Sequence, residues 1–299
     1  MNLIIETDLG GDPDDFFALC YLINAGVNIK AILLSPGHPY QIGIARFICN
    51  YLGVDALIGG TDSSKSKYPH NDYSGFHRAI IEANDISFNE EYDGVGHEII
   101  EKIFEEDPDV SFLGLGPLVN FGEFIARNPD AHIKQFLMQG GFLGYDEHSD
   151  PGAVRLEKFE GKSSFKTYNL DGNRKAAMGL LNANVDDRRF IGKNVCHTVL
   201  FKMERLRALQ NHWEGREIPP AMKLFIQGMT IYLKKHKEKK FHDPTACVCF
   251  LHPEVAAWVP GQPRLIPNRG WGTNTMKCDS LVASSVNYEK LWEYINEGN

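Results

Sequence analysis

The sequence predicts an α/β protein with an open, mainly parallel central sheet flanked by helices. Two observations carry this. Short apolar runs alternate with helix-periodic segments through the first 60 residues in a βαβαβ order. No internal repeat, low-complexity tract or linker interrupts the 299 residues, so one domain over 1–299 is expected.

Taken in order, Leu3 to Ile5 is a buried strand, Gly10-Gly11 a sharp turn, and residues 16–25 a helix ended by Gly26. Ile29 to Leu34 is a second strand, Gln41 to Leu52 a helix and Ala56 to Ile58 a third strand. Residues 61–92 are a long polar loop with a short helix near Phe76 to Glu82. A helix from Glu98 to Phe104, a strand from Val110 to Leu115, a helix from Phe121 to Ala126 and a strand from Ile133 to Met138 follow. Residues 143–166 form a second charged loop. Beyond it come a helix near 173–182, strand-like segments near 188–191 and 195–201, and helices over 203–211 and 218–237. The basic run Lys234 to Lys240 reads as a solvated helix end. Thr245 to Leu251 is apolar and helical, 255–266 is β-rich, and 288–296 is a last helix.

Composition narrows the function. A formal charge of −8 argues against a nucleic-acid groove, which needs a basic face. No apolar run reaches the length of a membrane span, and no charged-then-apolar leader opens the sequence. Six cysteines in mostly apolar settings, with no paired Cys-x-x-Cys, read as small buried hydrophobes in a reducing cytoplasm.

The chemistry concentrates at the start. Glu6, Asp8, Asp12, Asp14 and Asp15 crowd between the first strand and the first helix, and no lysine or arginine precedes Lys30. Helix capping accounts for part of this, with Asp12 as N-cap, Pro13 first in the helix, and Asp14 and Asp15 at the positive end of the dipole. Capping leaves Asp8 unexplained, at the carboxyl end of a buried strand where ligands bind in open α/β sheets. Carboxylates focused there repel unless protonated or joined by a cation, and an all-oxygen set suits Ca²⁺ or Mg²⁺ better than zinc. His242-Asp243-Pro244 repeats the pattern: a cap on one reading, a further carboxylate beside a neutral-pH acid, His242, on the other. Leu115 to Asn120 is a strand end and turn that could present a carbonyl, and Tyr168-Asn169 sits in a turn-forming string.

With these segments in hand, the chain resembles the calcium-dependent nucleoside hydrolases of the inosine–uridine type. The family's opening Asp-x-Asp…Asp-Asp is matched by Glu6 to Asp15. Its Asp-Gly-Leu-Gly resembles Asp93-Gly94-Val95-Gly96, and its Leu-Gly-Pro-Leu-Thr-Asn resembles Leu115 to Asn120. Its Met-Gly-Gly appears loosely as Met138 to Gly141, its Glu-Phe-Asn as Thr167-Tyr168-Asn169, and its His-Asp-Pro as His242-Asp243-Pro244. The order is kept along nearly the whole chain.

The resemblance implies a Rossmann-like nucleoside hydrolase fold and cleavage of an N-riboside to free base and ribose. It implies Ca²⁺ held by Asp8, Asp15, Asp243 and the Val119 carbonyl, with Asp8 activating water. It places Asp14 and Asn169 on the ribose, His242 at the leaving base, and implies a homodimer or homotetramer acting on a small nucleoside-like molecule. This sequence departs from the pattern in several places. Glu6 replaces an Asp. Two extra residues precede Asp14-Asp15, which leaves Asp12 open for the ribose or metal role. His38 stands near the family's Asn, Val119 replaces Thr, and Thr167 replaces the Glu that meets the ribose 5′-hydroxyl. With Lys162 and Lys166 near Thr167, a phosphate or another acidic or bulky group at the 5′ end is a further expectation. A metal-dependent phosphohydrolase and a non-catalytic sugar- or nucleoside-binding protein are the competing readings.

Overall fold

The computed structural model describes residues 1–61, 73–144, 152–275 and 278–298; parts of the loops expected over 61–92 and 143–166 lie outside them. The first half runs β1 (Asn2–Thr7), α1 (Asp14–Asn24), β2 (Asn28–Leu34), α2 (Pro39–Leu52), β3 (Leu57–Gly60) and α3 (Gly75–Glu82). It continues with β4 (Gly94–Val95), α4 (Gly96–Glu106), β5 (Ser111–Gly114), α5 (Val119–Arg127) and β6 (His132–Gln139). Next come α6 (Tyr168–Gly172), α7 (Arg174–Asn182), β7 (Asn184–Ile191), α8 (Lys193–Cys196), β8 (Leu200–Lys202) and α9 (Met203–Trp213). The chain closes with α10 (Pro220–Leu233), β9 (Glu238–Lys240), α11 (Asp243–Leu251), β10 (Ala256–Pro260), β11 (Gln262–Ile266), β12 (Gly270–Asn274), β13 (Ser280–Val286) and α12 (Tyr288–Glu297).

Nine strands form the main sheet in the order β10-β13-β7-β6-β5-β1-β2-β3-β4. Every neighbouring pair is parallel except β10 with β13. The expected mainly parallel α/β sheet is therefore present. The chain order reverses direction at β1, with β2 on one side and β5 on the other. Parallel sheets bind ligands at such a switch point, beyond the carboxyl ends of the strands. Asp8 and Leu115, the residues just past β1 and β5, both stand there.

Period-two alternation assigns the faces. Leu3 and Ile5 of β1 pack into one apolar layer and Ile4 into the other. The first layer holds Phe16, Phe17, Phe225 and Phe241 under α1, α10 and α11; the Phe17 and Phe225 rings are 5.1 Å apart. The second holds Phe112, Phe121, Phe124 and Phe136 under α4, α5 and α7, with Phe121 and Phe136 4.5 Å apart. Each fully buried phenylalanine contributes roughly 1.5–3 kcal/mol relative to exposure. Together the layers clamp β1 from both sides and fix where Asp8 emerges.

Several local expectations are corrected. Asp12 is not the N-cap of α1: Pro13 occupies that position, no side chain caps it, and the helix starts at Asp14. Likewise Asp243 is the first residue of α11 rather than its cap. The helix starts are each displaced by one residue from the expected position, and the Asp12 carboxylate pairs with Lys239. Segment 195–201 is not one strand; Lys193–Cys196 is a helical turn and only Leu200–Lys202 is extended. The basic run is not a helix end either. α10 stops at Leu233, and Glu238–Lys240 pairs antiparallel with β8, which puts Lys239 opposite Phe201 and turns it inward. Strands β12 and β13 carry no clean apolar alternation and were not expected. All six cysteines are free thiols and five are buried, as expected of small hydrophobes.

Candidate active site

A cavity of about 490 Å³ opens at the switch point. Asp8, Asp12, Asp14, Asp15, His38, Thr167, Asn169, His242 and Asp243 all line it, so the two acidic segments do converge. Val119 does not: it begins α5 and is absent from the lining, where Leu115 represents that turn.

The backbone around Asp8 leaves no slack. Gly10 has φ +125°, and a Cβ there would lie 2.6 Å from the Tyr40 ring. A Cβ on Gly116 would lie 2.6 Å from the Asp8 nitrogen and 3.0 Å from Asp8 Oδ1. The turns after β1 and β5 therefore touch, and glycine permits it.

Five carboxylates share this space. Burial raises the Asp8 carboxyl to about 7, and the charges of Asp12 and Asp14 add to the shift. Asp15 and Asp243 are pushed well above the usual carboxylate range by burial first, then by neighbouring charges: Asp8, Asp14 and Asp12 for Asp15, and Asp15, Asp14 and Asp8 for Asp243. The Thr7 hydroxyl donates to Asp15 and accepts from the Leu9 N–H at 3.2 Å. Asp14 is raised to about 6 by burial, less than it would be without Lys239. Its Oδ2 accepts the N–H groups of His242 (2.8 Å) and Asp243 (3.1 Å), which ties the two acidic segments together.

Lys239 is the functional residue that sequence reasoning missed. Its side chain is 4% exposed, and Nζ lies 2.8 Å from Asp12 and 3.4 Å from Asp14. The acidic start thus has a neutraliser after all, delivered from β9. The one available signal was the burial alternation of a three-residue strand inside a basic run. Asp12, 61% exposed at its side chain, sits at the rim of the cavity.

Glu6 faces away from the cavity lining. Its Oε1 accepts from Asn120 N (2.7 Å), Asn120 Nδ2 (3.0 Å) and the Ser35 hydroxyl, and its Oε2 from Phe121 N (2.9 Å). It therefore caps α5, whose N-cap residue Leu118 has no side chain able to do so. The longer stem that departs from the family's Asp has this use here.

On the other walls, His38 stacks on Tyr40, with centroids 5.5 Å apart. Asn169 Nδ2 donates to Leu115 O (2.7 Å), Gln139 O (3.0 Å) and Gln139 Oε1 (2.8 Å), anchoring α6 to the strand ends. Thr167 is buried and its Oγ1 has no hydrogen-bond partner. His242 stacks on His197 (5.2 Å, 7° between planes), and its Nε2 is buried without a hydrogen bond. Burial and then the Lys239 charge lower His242 to about 4, towards the neutral imidazole. Burial and the charges of His242 and Lys158 lower His197 to about 3.

Whether these residues suit calcium is a question of donor chemistry. Asp8, Asp15 and Asp243 offer only carboxylate oxygens, carry more negative charge than Lys239 balances, and raise one another's affinity for a proton. A hard dication answers each of these features. Among the described residues no group of three or more His, Cys, Asp or Glu side chains is spaced to hold a metal ion. The set fits the ion in kind and charge.

The model of the inosine-uridine preferring nucleoside hydrolase family matches residues 3–293. The chain belongs to that family. It is therefore a glycosidase, a hydrolase of N-glycosidic bonds. Relatives are distant in sequence. A protein of Aquifex aeolicus is 23% identical over 307 residues, covering 98% of each chain. The fold is shared with a plant nucleoside hydrolase (TM-score 0.74, 18% identity, 99% of this chain and 98% of that one). It is also shared with a purine-preferring ribonucleoside hydrolase from Gardnerella vaginalis (TM-score 0.68, 17% identity, 100% and 98%). No helix among the described residues is long and apolar enough to cross a membrane.

Proposed function

We propose that this chain hydrolyses the N-glycosidic bond of a ribonucleoside or closely related N-riboside, with Asp8 as the proton acceptor for the attacking water. One observation carries the reading: Asp8 and Asp15 from the first helix entry and Asp243 from a segment 228 residues later line a single cavity at the sheet's switch point. Asp8, Asp15 and Asp243 would hold Ca²⁺. When bound, the cation supplies positive charge that orients the ribose diol and makes water a better nucleophile.

Everything else is done by the chain. Breaking the C1′–N bond builds positive charge on the sugar, as in an oxocarbenium-like transition state, and the acidic wall stabilises it. Asp8, just past the end of β1 and on the cavity wall, is placed to accept the proton of the attacking water. Asp14, buried and held by two main-chain N–H groups and Lys239, is fixed in place to accept from a ribose hydroxyl. We assign that role to Asp14 and leave Asp12 at the rim. His38, Thr167 and Asn169 complete the sugar's surroundings. The His242 ring presents its unpartnered Nε2 to the departing base as a neutral hydrogen-bond donor or acceptor.

The test is base release from a panel of ribonucleosides in calcium, followed by chromatography. Wild type is expected to release base. Asp8→Asn is expected to lose at least a hundredfold in kcat with KM little changed. Tight binding without turnover across the panel would instead identify a sugar- or nucleoside-binding protein, and full activity in Asp8→Asn would remove the assigned base.

A further inference from the structure

The cavity has a second wall, carrying the Lys193 ammonium, that hydrolysis of a plain nucleoside does not use. Lys193, first residue of α8, lines the cavity together with Thr167 and His197. Its Nζ donates to the Lys166 carbonyl (2.6 Å) and lies 4.8 Å from the centroid of the Phe165 ring. Lys162 Nζ lies 4.8 Å from the same ring, and Lys158 Nζ is 2.6 Å from His197 Nδ1. Lys158 and Lys162 thus stand on the segment that leads to Thr167, and Lys193 packs against that segment from α8. Among the described residues Lys193 has no carboxylate at ion-pair distance, although it is partly buried. Beside it the Thr167 hydroxyl is buried with no partner. The buried hydroxyl is unfavourable unless a ligand completes it, and the Lys193 ammonium, held by a neutral carbonyl, keeps donors free for an anion beside it.

We infer that the substrate carries a phosphate monoester on its 5′ carbon, and so is a nucleoside 5′-monophosphate; this rests on the glycosidase reading above. Ribose offers three handles. The diol and C1′ belong with the carboxylates, and the base leaves past His242. The exocyclic carbon is the handle that remains for the Thr167–Lys193 wall. A 5′-hydroxyl would be met by the Thr167 oxygen alone and would leave the Lys193 charge without an anion. A phosphate instead brings several acceptor oxygens that can take hydrogen bonds from both Lys193 Nζ and the Thr167 hydroxyl and set an anion beside the ammonium. In the reaction the C1′–N bond breaks with its electron pair on the base nitrogen, which takes a proton from solvent water, and Asp8 afterwards returns to solvent the proton it accepts. The water oxygen bonds to C1′, its proton passes to Asp8, and the P–O bonds are untouched. The products are free base and ribose 5-phosphate.

Calorimetry on the calcium-loaded chain with ribose, ribose 5-phosphate and inorganic phosphate reads the wall without turnover. Ribose 5-phosphate is expected to bind at least tenfold more tightly than ribose or inorganic phosphate, and Lys193→Met to erase most of that margin. In kinetics, the ratio of kcat/KM for a 5′-monophosphate over its nucleoside is expected to exceed ten and to fall towards one in Lys193→Met. Equal binding of ribose and ribose 5-phosphate, a preference for the nucleoside, or an equal loss on both substrates in the variant would each overturn the inference. Inorganic phosphate binding as tightly as the sugar phosphate would overturn it too, because the wall would then be a free-phosphate site. Turnover of no substrate, with selective ribose 5-phosphate binding intact, would refute hydrolysis and still uphold the phosphate wall.

Discussion

Replacing Lys239 with methionine tests how the acidic cluster is held together. The substitution keeps an apolar stem of similar length and removes a charge that is 4% exposed, 2.8 Å from Asp12 and 3.4 Å from Asp14. Breaking a buried ion pair typically costs about 3–5 kcal/mol. Asp12 is largely solvated and Asp14 keeps two N–H donors, which argues for the low end, about 3 kcal/mol at pH 8. A chain of this length unfolds with an entropy of roughly 0.6 kcal/mol/K, so the melting temperature is expected to fall by about 5 °C. The sign with pH follows from Asp14. Its carboxyl is already raised to about 6, and without Lys239 it rises further. The folded variant then binds more protons than the unfolded chain, so its stability falls as pH rises. At pH 5 Asp14 is largely protonated in both proteins and the gap is expected to be small. Thermal melts followed by circular dichroism from pH 5 to 8, in chelator, measure the gap directly. An equal gap at pH 5 and pH 8 would make Lys239 a packing residue only, and no gap at all would refute the pairing.

Two further expectations concern the same cluster. Because Asp8 and Asp14 are raised to about 7 and about 6, protons compete with the cation, and apparent calcium affinity is expected to rise about tenfold from pH 6 to 8; calorimetry in matched buffers checks it. Gly116→Ala would place a methyl 2.6 Å from the Asp8 backbone nitrogen, so Asp8 must move. A shift on the order of 1 Å at a reacting group lowers kcat about a hundredfold, and Gly116→Ala is expected to do so with only a modest loss of melting temperature.

How far the sequence reveals this depends on the range of each interaction. The β1–turn–α1 unit and the βαβ order are legible because turn chemistry and apolar period are local signals. The meeting of Asp8, Asp15 and Asp243 was reachable because two similar acidic helix starts point to one end of a parallel sheet. Lys239 was not legible: its inward turn depends on β9 pairing with β8, some 38 residues earlier in register, and within a basic run it looks solvated. Lys193 was hidden for the same reason, in a four-residue helical turn that the apolar pattern blurs into a strand. The capping readings of Asp12 and Asp243 failed because each helix start is displaced by one residue, with Pro13 and His242 as the N-caps, and Asp12 pairs with Lys239 instead. Glu6 was visible as a departure, but its task of capping α5 depends on a helix more than 110 residues away.

The most direct measurement is the rate of base release from a saturating N-riboside as free calcium is titrated from chelator to millimolar, in wild type and Asp243→Asn. Hydrolysis that vanishes in chelator, returns with calcium, and in the variant needs at least tenfold more calcium is the expected result. Full activity in chelator, or an unchanged calcium requirement in Asp243→Asn, would contradict the proposal that distant acidic segments share one cation.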